Sequence, residues 1–111
     1  MKSLAERIGG EGDMKLMTRV IEDSIPALYS QDGLGDDAIV HAKFFTPDSS
    51  WTWYATEYDP GTRTFFGLVD GLDRELGYFS LDELEGARGL MGLPIERDLH
   101  FKPTKLSELQ G

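Results

Sequence analysis

From residue 38 onward the chain alternates short apolar runs with short polar breaks. Residues 38–46 (AIVHAKFFT) are β-branched and aromatic, and PDSS at 47–50 interrupts them. Residues 51–58 (WTWYATEY) alternate, the period of a strand with one buried face. Asp59-Pro60-Gly61-Thr62 then puts Pro and Gly at the centre of a turn, the pattern of a type II reversal. Residues 63–70 (RTFFGLVD) form a third strand, GLDR turns the chain, and residues 75–80 (ELGYFS) form a fourth. These connections are too short for parallel crossovers, so the pattern predicts an antiparallel meander.

The ends of the chain read as helix and loop. Asp13 is placed to cap a helix in which Met14, Met17, Val20 and Ile21 recur at helical spacing, with Ile25 one turn on. Pro26 disfavours helix in the residue before it, so this helix ends near Ser24. QDGLGDD at 31–37 is an acidic, glycine-containing loop. Ser80-Leu81-Asp82-Glu83 is a capping box that opens a short helix reaching about Arg88, weakened by Gly86 and Gly89. An extended segment lies between Pro94 and Pro103, and TKLSELQ closes with a helical turn. The expected fold is α+β: a four-stranded antiparallel meander sheet with an N-terminal helix and a short helix after the last strand. Its expected core is Met17, Val20, Ile21, Leu28, Phe44, Trp53, Phe65, Leu68, Tyr78, Phe79, Leu84 and Leu93. Residues 1–12, with GGEG at 9–12, read as a flexible leader before a single domain at 13–111.

Composition narrows the chemistry. A chain of 111 residues is long enough for one real core. The absence of Cys removes disulfides, thiolate catalysis and Cys-based zinc sites. No apolar run is long enough to span a membrane, and MKSLAERIGG has no signal-peptide core, so a cytoplasmic protein is expected. The net charge is −9. Residues 31–60 carry six acids against one base, Lys43, and residues 61–90 carry six against three, so the excess sits mid-chain. Direct nucleic-acid binding needs a basic footprint, and the sequence has no basic run. An acidic surface keeps a protein soluble and steers it toward a basic partner surface.

Six of the twelve aromatic residues fall within 49–66. Their neighbours are Asp48, Glu57, Asp59 and Asp70 rather than a basic series, which argues for a sheet face and against a single-strand nucleic-acid platform. Two helices cannot cover both faces, so some rings stay exposed as a partner site. The candidate partner-binding residues are Asp32, Asp36, Asp37, Asp48, Trp51, Tyr54, Glu57 and Asp59. Glu96, Asp98 and His100 recur at period two, which on a strand points them one way. Carboxylates with an imidazole suit a divalent metal or acid–base work, and a charged outer strand face gives the same pattern. The acidic loops lack EF-hand spacing, His41 stands alone on an apolar strand, and neither a nucleophile elbow nor a phosphate loop is present. No cofactor is expected and no catalytic residue is assigned.

The blocks FTPDSSWTWY, LGYFSLDEL and GLPIERDLHF resemble a family of small bacterial proteins of unknown function found on plasmids, integrative elements and phages. The resemblance runs from about Met14 to Leu109. It implies an accessory role in the survival or transfer of a mobile element, and it carries over no catalytic residue. With the charge, it leads to the expectation of a non-catalytic acidic protein-binding module, an inhibitor or nucleic-acid mimic acting on a host defence or nucleic-acid-handling protein. The alternatives are a metal-dependent enzyme or metal-binding protein using Glu96, Asp98 and His100, and a small-ligand sensor with an aromatic pocket near Trp51 and Trp53. Neither the oligomeric state nor the partner's identity is readable from the sequence.

Overall fold

The computed structural model describes residues 15–109. In chain order the elements are α1 (Arg19–Ser24), β1 (Ile39–Val40), β2 (Ala42–Phe45), β3 (Thr52–Asp59), β4 (Thr64–Asp70), β5 (Arg74–Ser80), α2 (Leu81–Gly86), β6 (Glu96–Arg97) and β7 (Thr104–Lys105), with short 3-10 turns at Gly35–Asp37 and Leu106–Glu108. β2 to β6 form one five-stranded sheet in the order β5-β4-β3-β2-β6, and β1 pairs with β7 in a second, two-stranded sheet. Every strand pairing is antiparallel.

The expected α+β class and the β2–β3–β4–β5 meander are present, but the strand count differs. The run 38–46 is two strands, not one. His41 interrupts it by donating its N–H to the Ala55 carbonyl, which frees β1 to pair with β7. The extended segment after Pro94 supplies β6 to the edge of the main sheet, where Phe44 faces Arg97 and Phe45 faces Glu96. Thr18 caps α1, its hydroxyl accepting the Ile21 N–H at 3.2 Å. The expected helix start at Asp13 and Met14, and the leader 1–12, lie outside the described residues.

One sheet face carries the core. Ala42, Phe44, Ala55, Tyr58, Phe65 and Phe79 are buried there, covered by Leu16 and Ile25 near α1, by Leu81 and Leu84 of α2, and by Ile95. Phe65 lies at its centre, with ring centroids 4.5 Å from Tyr58, 5.1 Å from Phe79 and 5.4 Å from Phe44. α2 reaches this face because the capping box forms as the sequence predicts. Ser80 Oγ accepts the Glu83 N–H, and Glu83 Oε1 accepts the Ser80 N–H. Of the expected core, Phe44, Phe65, Phe79 and Leu84 are buried, and Met17, Ile21 and Trp53 pack against them. Val20 is 76% exposed because α1 is a single short helix that turns only its Ile21 side inward. Tyr78 and Leu93 are also exposed.

A β-bulge in β3 sets the second face. Ala55 pairs with Gly67 and Glu57 with Phe66, so Thr56 is the extra residue. The bulge keeps both Ala55 and Tyr58 on the core side, and strict alternation does not allow that. It also turns the Glu57 side chain under the 27–34 loop, where it is only 3% exposed. Its two oxygens accept the N–H groups of Tyr29 and Gln31, each at 2.8 Å. The Gln31 carboxamide completes the clasp: its nitrogen donates to the carbonyls of Ile39 and Thr56, and its oxygen accepts the Ile39 N–H. Tyr29 between these anchors adopts φ 73°, a left-handed backbone unusual for an aromatic residue.

The β3–β4 turn departs from the type II expectation. The Asp59 carboxylate accepts from the Gly61 N–H and the Thr62 hydroxyl. This local turn leaves Gly61 at ordinary φ and moves the left-handed position to Arg63, at φ 58°. Arg63 is held there by Asp82 at 2.8 Å and Glu85 at 2.6 Å.

Candidate functional site

The loop between β2 and β3, residues 46–51, organises the end of the sheet that offers the most to a ligand or partner. Thr46 closes it. Its N–H donates to the Trp51 carbonyl at 3.0 Å, and its hydroxyl oxygen accepts the Trp51 N–H at 3.0 Å. Asp48 points from this loop into the next one, residues 88–94. Its Oδ2 accepts the N–H of Met91 at 2.7 Å and of Leu93 at 3.2 Å. Its Oδ1 is buried with no hydrogen-bond partner among the described residues and lies against Gly89, where a Cβ would collide with it. A Cα–H contact is the interaction open to that oxygen.

The 88–94 loop is thus a braced hairpin. Gly89 donates to the Leu93 carbonyl at 2.9 Å, Gly92 donates to the Gly89 carbonyl at 3.0 Å, and Arg88 bridges to Pro94. Gly92 takes φ 83°, a conformation that glycine adopts without strain. At the tip of this fixed backbone, Leu90 is 88% and Met91 83% exposed, with Leu93 half-exposed beside them. The backbone is ordered by a carboxylate, yet the side chains that it positions touch little of the chain itself.

On the other side of the 46–51 loop lies a cleft of about 500 Å³, lined by Lys43, Phe45, Trp51, Glu96, Asp98 and His100 among others. The Trp51 ring stacks on Trp53 at 5.9 Å and covers Gly71 so closely that a Cβ there would meet the ring. Glu96, Asp98 and His100 all line this cleft. Only Glu96 is on a strand; Asp98 to His100 turn, with the Asp98 carboxylate accepting the His100 N–H at 2.9 Å and lying 3.8 Å from Lys43 Nζ. Among the described residues no three His, Cys, Asp or Glu side chains gather as a metal-holding group. Alternation brings the three to one cleft but not to one point, because the strand ends after Arg97. Arg97 itself points to the core side and donates to the carbonyls of Lys15 and Leu16; burial lowers its pKa.

The expected partner-binding residues divide in two. Asp32 and Asp36 are exposed, Asp37 lies 3.8 Å from Lys105, and Trp51 is 37% exposed. The other four bond within the chain: Tyr54 and Glu57 are buried, which corrects the surface role expected of those two, whereas Asp48 and Asp59 stay partly exposed. Glu57 is buried under the 27–34 loop, and Asp48 braces the 88–94 loop. Asp59 holds its own turn. Tyr54 is buried beneath Lys43 and Phe101, which raises its phenol pKa through desolvation, then through Asp70, with Arg74 opposing. The exposed Leu90 and Met91 escaped the sequence reading, although GLMG is an apolar pair between two glycines, a turn with nothing polar at its tip.

No helix among the described residues is long and apolar enough to cross a membrane. No curated protein and no solved structure matches the chain at a significant level. A family model described as a protein of unknown function, DUF2958, matches residues 16–109, which take in both loops, the cleft and every strand, and the chain belongs to that family.

Proposed function

We propose that the chain is a non-catalytic protein-binding module that docks through the apolar tip of its 88–94 loop. The carrying observation is the combination of an ordered backbone and bare side chains: Asp48 fixes the loop while Leu90 and Met91 project from it. A loop ordered before binding loses less conformational entropy when a partner closes on it. Exposed apolar side chains on such a loop serve as anchors for a partner's pocket. The partner's pocket is apolar with a basic rim. α2, which directly precedes the loop, carries Asp82, Glu83 and Glu85, and the whole chain is at −9. In the mobile-element setting that the resemblance implies, such a module acts on a host defence or nucleic-acid-handling protein. With Tyr54 and Glu57 buried and Asp48 and Asp59 engaged in loop hydrogen bonds, this contact is apolar first and acidic second.

A photo-crosslinking residue at position 91 tests the reading in host extract. A specific protein is captured, is displaced by unlabelled wild-type chain, and is not displaced by the folded Leu90→Ser/Met91→Ser variant. Equal displacement by wild type and variant overturns the proposal.

The cleft supports a second reading, a small-ligand sensor, because Trp51 forms one of its walls beside polar groups. Tryptophan emission that stays fixed across a panel of small metabolites removes it.

A further inference from the structure

The outer edge of β5 is the basis of a prediction about assembly. Among the described residues β5 is the last strand of the sheet on one side; it is seven residues long and contains neither proline nor a bulge, and its charges, Arg74 and Glu75, are confined to its first two residues. In an antiparallel ladder each residue directs its N–H and C=O to the same neighbour, and successive residues alternate. Leu81 donates its N–H to the Arg63 carbonyl, on the β4 side. Residues 79, 77 and 75 therefore face β4, while Arg74, Leu76, Tyr78 and Ser80 face outward. Ser80's outward N–H is already taken by Glu83. The free edge is thus Arg74, Leu76 and Tyr78, three residues with their midpoint at Leu76.

This edge is complementary to itself. A two-fold axis at Leu76 places Leu76 opposite the partner's Leu76 and Arg74 opposite the partner's Tyr78. All six outward groups on each strand are then paired in register, and no like charges are opposed. On the remaining positions Glu75 meets the partner's Gly77. The side chains at the join are ready for cover: Leu76 is 54% and Tyr78 57% exposed. They are backed on β4 by Leu68 and Phe66, with the Phe66 and Tyr78 rings 5.1 Å apart. Arg74 opposite a tyrosine ring also suits a cation–π contact.

We propose that two copies of the chain join through β5, about a two-fold axis at Leu76, into one continuous ten-stranded antiparallel sheet. One strand pair buries less than the ~1,200 Å² typical of stable complexes, so the dimer forms with rising concentration. Sedimentation of the full chain from about 10 µM to 1 mM shows the mass rising from one toward two copies. A mass that stays at 12.4 kDa throughout overturns the proposal.

The chain has no cysteine, so the register can be tested directly. Residues opposed in a hydrogen-bonded antiparallel pair have Cα atoms ~5.5 Å apart, within reach of a disulfide. Leu76→Cys forms a covalent dimer on mild oxidation. Tyr78→Cys does not, because the two copies of residue 78 lie over ~13 Å apart. Equal crosslinking at both positions, crosslinking only at 78, or none at either overturns the register. Tyr78→Arg alone returns the chain to monomer by opposing it to Arg74, and adding Arg74→Glu restores the dimer. Identical masses for these two variants overturn the pairing.

Discussion

Replacing Glu57 tests the clasp that holds the 27–34 loop to the sheet. The side chain is almost fully buried, and each oxygen accepts one backbone N–H at 2.8 Å. Hydrogen bonds to a charged acceptor contribute about 1.5–3 kcal/mol each. Against this stands the desolvation of a carboxylate, which opposes burial. Two short bonds, one to each oxygen, decide the sign in favour of stabilisation. Glu57→Gln keeps one acceptor but turns an amide N–H₂ toward the second backbone donor. It therefore loses one bond and leaves a buried N–H unpaired, at about 2 kcal/mol. Glu57→Ala loses both bonds and costs about 3–4 kcal/mol. In a domain of this size each kcal/mol moves Tm by about 4–8 °C, so urea and thermal melts resolve all three proteins. The loss should be local as well as global. The amides of Tyr29 and Gln31 lose their exchange protection first, and Tyr29 relaxes from its left-handed backbone. If Glu57→Gln leaves stability within ~0.5 kcal/mol of wild type, or raises it, desolvation outweighs the bonds and the reasoning is refuted.

Two further outcomes follow from the same geometry. Gly67 and Gly77 face each other across β4 and β5, yet a Cβ on Gly67 would strike the Tyr54 carbonyl while one on Gly77 meets nothing within 4 Å. Gly67→Ala should lose more than ~3 kcal/mol and fold poorly, whereas Gly77→Ala should be neutral or gain up to ~1 kcal/mol in denaturant melts; equal effects would contradict the packing. Burial lowers the His41 pKa from 6.5, so the unfolded chain takes up a proton before the folded chain does. Its contribution is complete above pH 6.5 and is lost as pH falls through the lowered folded value. His41→Gln should therefore show a smaller drop in stability than wild type between pH 7 and pH 5, and parallel drops would contradict this.

The sequence made some of these features legible and hid others for physical reasons. Local signals held up: the capping box at Ser80 and Glu83, the helix stop before Pro26, and the strand breaks at PDSS and GLDR depend on residues close together in the chain. The face assignments on β3 did not follow from alternation, because the bulge at Thr56 shifts the phase by one residue midway. Nothing local announces that bulge; Gln31 and Glu57, more than twenty residues apart, satisfy the groups around it. The Asp59 turn departs from its Pro-Gly pattern for a simpler reason. A Pro-Gly pair suits a type II turn, but the Asp59 side chain offers its own bonds to the following residues and wins. The charged candidates show the widest gap. Sequence counts acids but does not show which ones turn inward, and Asp48 and Glu57 do so to hold loops that arrive from elsewhere in the chain. Leu90 and Met91 carry no local signal of exposure, because what holds their backbone out is Asp48, more than forty residues away in the chain.

The central claim is that the 88–94 loop is held in one shape while its apolar tip stays bare. Residue-resolved hydrogen exchange at Met91 and Leu93 tests it most directly. Both amides are bonded to Asp48 Oδ2 although their side chains face outward. The account predicts slow exchange at both in the wild-type chain, and exchange at unprotected rates in Asp48→Ala, with the strands β3 and β4 unchanged. Wild-type amides that exchange as fast as those of an unstructured peptide would show the loop to be unbraced and would contradict the account.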